Sequence, residues 1–150
     1  MYRMFILMLT VILLAACTNV TPVPVKDTPS APAAAWTVKM AHSGGIMGLL
    51  RVIEVSSTGN FTVLDERAQK TVNGQLSEAE ISHLAELVAK AVLAVPGKPN
   101  NNCADCFIYT LEISTTGKPF QAQVNDISLP GSGLEPLITF LRELMDQSLK

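Results

Sequence analysis

No block of Lys or Arg occurs anywhere in these 150 residues, and eleven basic residues stand against thirteen acidic ones for a net charge of −2. Nucleic-acid binding needs clustered cations that displace counterions, so that partner class is excluded. Histidine is nearly absent: His42 and His83 are the only two, far apart in sequence. A zinc site needs about four ligands, and nothing here gathers them. No apolar run reaches the roughly twenty residues that span a bilayer as a helix. No repeat of short period is visible. No constellation of nucleophile, base and orienting group appears either. Ser43 follows His42, but neighbours on a strand point to opposite faces, and the carboxylates are scattered along solvated helix faces. These absences predict a protein that is not an enzyme and that needs no cofactor or metal.

What is present begins at the N-terminus. Arg3 precedes an apolar run, Met4 to Leu14, broken only by Thr10. A run this short, after a positive residue and ending in small residues, reads as a secretory signal. Its end, Leu14-Ala15-Ala16-Cys17, resembles the lipobox of bacterial lipoproteins. The resemblance implies a signal peptide over 1–16, cleavage before Cys17, and a membrane anchor of acyl chains such as palmitate on that cysteine. Several chains on one residue hold a protein far better than one. The localisation implied is the cell envelope, on the extracytoplasmic side. Thr18 stands where many Gram-negative inner-membrane lipoproteins carry Asp, so the outer membrane is expected in a two-membrane host. Loss of Arg3 with the signal leaves ten basic against thirteen acidic residues, a net −3. Residues 17–35 hold Pro22, Pro24, Pro29 and Pro32 without apolar periodicity and read as a semi-extended linker.

A globular domain is expected over 36–150, long enough for one core. Trp36, Val38 and Met40 alternate with Thr37, Lys39 and Ala41, and a second strand follows over Leu49 to Ser57. Thr58-Gly59-Asn60 turns the chain into a third strand, Phe61 to Leu64. Asp65 to Gln75 is polar and is expected to be a loop. Ser77-Glu78-Ala79-Glu80 is a capping box, followed by Ile81, Leu84, Val88, Val92 and Val95 at helical spacing until Pro96-Gly97. Phe107, Tyr109, Leu111 and Ile113 alternate with Ile108, Thr110, Glu112 and Ser114, Thr115-Thr116-Gly117 turns, and Phe120, Ala122 and Val124 alternate with Gln121, Gln123 and Asn125. The last helix starts near Pro136, allowed in a first turn, with Leu137, Ile138, Leu141, Leu144 and Met145 on one face. The order β-β-β-α-β-β-α predicts an α+β fold, an antiparallel sheet with two helices packed on one face.

Two local features bear on function. In Ala41 to Arg51, Gly44, Gly45 and Gly48 surround Ile46 and Met47. A phosphate loop would need a helix after it and a lysine in it. Here a strand follows and no lysine is present, so a hairpin tip is expected. Cys103 and Cys106 form a CxxC before a strand, not at the helix N-terminus that lowers a redox thiol's pKa. The pair reads as a short disulfide pinning a loop or as two unpaired thiols. Met40, His42 and Met47 have the softness of copper(I) ligands, but methionines along an apolar strand read better as core.

Four stretches together, Ser43–Arg51 (SGGIMGLLR), Leu76–Ala91 (LSEAEISHLAELVAKA), Cys103–Ile113 (CADCFIYTLEI) and Leu134–Leu144 (LEPLITFLREL), occur in this order over most of the domain. In order and spacing they resemble the emfourin family, small protein inhibitors of thermolysin-like zinc metallopeptidases such as protealysin. Unlike those bare domains, this chain adds a lipobox and a linker. The resemblance implies a cell-envelope lipoprotein that binds and inhibits such a peptidase. The alternative is a structural or ligand-binding envelope lipoprotein without a peptidase target, for which Ile108, Thr110, Glu112, Gln121 and Gln123 form a candidate surface. An inhibitor needs a rigid exposed segment for the substrate groove, and thermolysin-like grooves favour large apolar side chains. Ser43, Gly44, Gly45, Ile46, Met47 and Gly48 are therefore the candidate partner-binding residues. Their rival reading is that Ile46 or Met47 folds back to cover the sheet.

Overall fold

The computed structural model describes residues 35–96 and 103–150. The signal-like run, the lipobox with Cys17 and the proline-rich segment up to residue 34 lie outside the described residues. The elements are β1 (Thr37–Gly44), β2 (Leu49–Ser56), β3 (Asn60–Asp65), β4 (Lys70–Gln75), α1 (Glu78–Ala91), β5 (Phe107–Ser114), β6 (Phe120–Asn125) and α2 (Glu135–Ser148). The strands form one antiparallel sheet in the order β4-β3-β2-β1-β5-β6. The fold is α+β, as the alternation and helical stripes predict. No helix among the described residues is long and apolar enough to cross a membrane.

Strand alternation assigns the two faces. Met40 lies opposite Ile53 on β2 and Leu111 on β5, and all three are fully buried. Val38, Val55, Val63, Ile113 and Val124 share that face. The helices cover it with Leu84, Leu87, Val88 and Ala91 from α1 and Leu137, Ile138, Leu141 and Met145 from α2. Deleting one such side chain to Ala typically costs about 2–5 kcal/mol. The other face is bare of helices and carries the even-numbered residues of β2 and β5, among them Leu50, Glu54, Ile108 and Glu112.

Two elements differ from the sequence expectation. Residues 70–75 form an edge strand rather than a loop. Only Val72 in it is large and apolar, so its alternation carries almost no hydrophobic signal. What holds it is pairing: Val72 faces Val63, and Gly74 faces Phe61. A Cβ at Gly74 would lie 2.2 Å from the Phe61 ring, which occupies the vacant place. The first helix also ends earlier than Pro96-Gly97 suggests. Its N-terminus has the full capping box, with Ser77 and Glu80 bonded reciprocally. At the other end Leu93 N–H donates to the Lys90 carbonyl and Ala94 N–H to that of Ala91. This tight last turn swings Val95 out to solvent.

Candidate functional site

The pairing of β1 with β5 builds the hairpin tip. It sets Gly44 opposite Phe107 and brings the CxxC turn beside the β1–β2 connection. Cys103 and Cys106 are joined in a disulfide. The Cys106 carbonyl accepts the Gly45 N–H at 3.3 Å, and Gly48 N–H closes a four-residue turn onto the Gly45 carbonyl at 3.0 Å. From the β3–β4 turn, Arg67 donates to the carbonyl of Met47. Two remote segments and a bond of its own therefore hold this turn.

The glycines have separate reasons. Gly44 has φ +102°, and a Cβ there would sit 2.4 Å from the Cys106 carbonyl oxygen. At Gly45, with φ +69°, a Cβ would meet the Phe107 ring at 2.7 Å. Gly48 needs only its positive φ, since open space surrounds it. A glycine in the left-handed region after such a turn suits the twist of the flanking strands. The result projects Ile46 and Met47 outward, 87 % and 71 % exposed. The reading in which they fold back over the sheet is thereby corrected: the core beneath is already closed by Phe107 and the helices.

Ser43, half-buried, lies on the bare face between Leu50 and Ile108. Leu50 is 41 % and Ile108 37 % exposed, and Val52, Ala41 and Leu64 form the next row across the sheet. Exposed charges on this face, Lys39, Glu54 and Glu112, sit in one row farther from the tip. The bare face thus carries an apolar strip near the tip, interrupted by Ser43 and bounded on the β5–β6 side by Thr110 and Gln123, and is polar beyond it. Sequence reasoning named Ile108 but missed Leu50. The signal lay in its parity, since Leu50 falls out of step with the buried Ile53 and Val55.

Beneath the tip, on the core face, lies a second polar constellation. Arg51 donates to Asp65 at 2.8 Å and to Asp146 of α2 at 3.0 Å. Asp65 also accepts the Ala68 N–H at 2.9 Å. That backbone bond first, then Arg51, holds its carboxyl below the usual range. Asp126 accepts the Phe107 N–H and the Tyr109 hydroxyl, at 2.9 and 3.1 Å, and Arg142 reaches the same hydroxyl. Burial pushes the Tyr109 phenol up. His42 stacks on Tyr109, with ring centroids 4.8 Å apart.

The candidate copper ligands do not converge. Met40 is in the core, Met47 is at the tip, and His42 lies under α2. His83 sits exposed on α1 with its ring edge-on to Phe140. Among the described residues, no three of His, Cys, Asp and Glu form a group able to hold a metal. No family model and no curated protein matches this chain.

Proposed function

We propose that this chain is a non-catalytic cell-envelope lipoprotein, anchored through Cys17, that binds and inhibits a thermolysin-like zinc metallopeptidase with its glycine hairpin. The observation that carries the reading is the exposure of Ile46 and Met47 on a turn braced by Cys106, Arg67 and its own glycines. Large apolar groups on a preorganised turn lose little entropy on entering a groove. The apolar end of the bare face, with Leu50 and Ile108, extends the contact beside the tip. Purified protein is expected to slow thermolysin-like peptidases of the same host at micromolar concentration. Replacing both tip residues, Ile46→Asp with Met47→Asp, is expected to weaken inhibition by about 30-fold or more, as for interface hot spots, with an unchanged melting temperature. No slowing by the wild-type protein overturns the reading.

The alternative, an envelope docking module without a peptidase target, is favoured by one observation. Ile108 and Leu50 are exposed on the sheet itself, outside any segment able to enter a groove. If Ile108→Asp abolishes capture of a non-peptidase envelope partner while the tip variant does not, this second reading replaces the first.

A further inference from the structure

His42 is buried to 6 % exposure, and neither Nδ1 nor Nε2 has a hydrogen-bond partner. A neutral imidazole presents one donor and one acceptor. Leaving buried polar atoms unpaired costs about 1–3 kcal/mol each. The position is therefore poorly explained as a stabilising one, although parity on β1 places it on the core face beside Met40.

The charges around His42 pull in both directions. Arg51 on β2 and Arg142 on α2 face it with positive charge. Asp146 on α2 and Asp126 after β6 face it with negative charge, Asp146 more strongly. Both carboxylates are already engaged, Asp146 by Arg51 and Asp126 by Phe107 and Tyr109. Asp65 on β3 is likewise held by Arg51, and Tyr109 on β5 offers its ring face to the imidazole. A protonated His42 would carry two N–H donors into this setting. The one carboxylate that pulls on it most, Asp146, is already shared with Arg51. Burial, the leading cause, keeps the imidazole below its ordinary pKa of 6.5.

The ring also touches what holds the tip. His42 meets Phe107 edge-on at a centroid distance of 4.9 Å. Phe107 in turn fills the space that a side chain at Gly45 would need. Phe107 thus stands between His42 and the turn.

We propose that His42 is an acid-sensitive latch on the glycine hairpin: neutral, it packs with Tyr109 and Phe107 and keeps the turn closed, and protonated, it draws on Asp146 and loosens the β1 end and the turn above it. As regulation of binding this rests on the hairpin being the docking element, but the latch itself is tested without a partner.

The direction follows from linkage. The closed state excludes a proton that the open state accepts with the ordinary pKa of 6.5. Closure is therefore undisturbed well above that pH and weakens as pH falls below it, until the depressed value of the closed state is passed. In that window the opening equilibrium grows by up to about tenfold per pH unit.

The test is amide hydrogen exchange at Gly45, whose N–H donates to the Cys106 carbonyl, and at Gly48, whose N–H closes the turn, between about pH 7.5 and 5.5, compared with the intrinsic exchange rate. Protection in the wild type is expected to fall by up to about tenfold per pH unit below 6.5. In His42→Phe, which keeps an aromatic ring and removes the orphaned nitrogens, protection is expected to be flat with pH. Constant protection in the wild type, or an equal fall in the variant, overturns the proposal. Should His42→Phe misfold, the wild-type imidazole resonances decide. A His42 titrating at the ordinary imidazole value of 6.5 overturns the latch, and one titrating clearly below it supports the latch.

Discussion

The β1–β2 and β5–β6 hairpins turn at opposite ends of the sheet, and the chain treats the two turns differently. The β5–β6 turn runs through Thr115, Thr116, Gly117, Lys118 and Pro119, all exposed and mostly polar. A bond from Gly117 N–H to the Thr115 hydroxyl steadies it, and a Cβ at Gly117 would have ordinary room. The β1–β2 turn is apolar at its tip, is gripped from the CxxC and from the β3–β4 turn, and has no room at Gly44 or Gly45. One turn only reverses the chain. The other spends backbone freedom on displaying two side chains that gain nothing from display within their own domain.

That contrast is sharpest in the glycines. Gly44→Ala is expected to destabilise the domain by at least about 2 kcal/mol, from its left-handed φ and its collision with the Cys106 carbonyl. Gly117→Ala is expected to stay within about 0.5 kcal/mol of wild type. Denaturant unfolding of the pair measures both, and equal losses would dissolve the comparison. Removing the disulfide with Cys103→Ser and Cys106→Ser comes next. So short a loop restricts the unfolded chain little, so a loss of about 2 kcal/mol or less is expected. Exchange at Gly45 is expected to rise while the Gly117 amide stays unchanged, and a uniform rise would show that the bridge does not serve the tip. The smallest effect is expected for Arg67→Ala, which removes an exposed hydrogen bond worth below about 1 kcal/mol. Its signature is faster exchange at Gly48 with an unchanged melting temperature.

Much of the scaffold was legible because burial leaves a period. Alternation over Val38 and Met40, or Tyr109, Leu111 and Ile113, marks strands that bury one face. The Ser77–Glu80 box marks a helix start, because the same two side chains satisfy its first free amides. The fourth strand was not legible, since an edge strand whose chief contribution is Val72 and the gap at Gly74 buries too little to leave a pattern. At the tip, the glycines announced a turn, but the direction of Ile46 and Met47 depended on Phe107 and Cys106, brought there by pairing between strands remote in sequence. The unpartnered state of His42 was likewise invisible, because it depends on what α2 places overhead.

The central position of β1 has a mechanical consequence. The described chain enters at residue 35 and runs straight through β1 to the tip at the other end of the sheet. At about 3.3 Å per residue, those eight residues span about 25 Å. Tension between a tether before residue 35 and a partner gripping the tip would run lengthwise along this strand, which β2 and β5 flank on both sides. The extended covalent backbone of β1 would carry that load from end to end, so the hydrogen bonds to β2 and β5 would bear little of it and the sheet would stay intact under the pull.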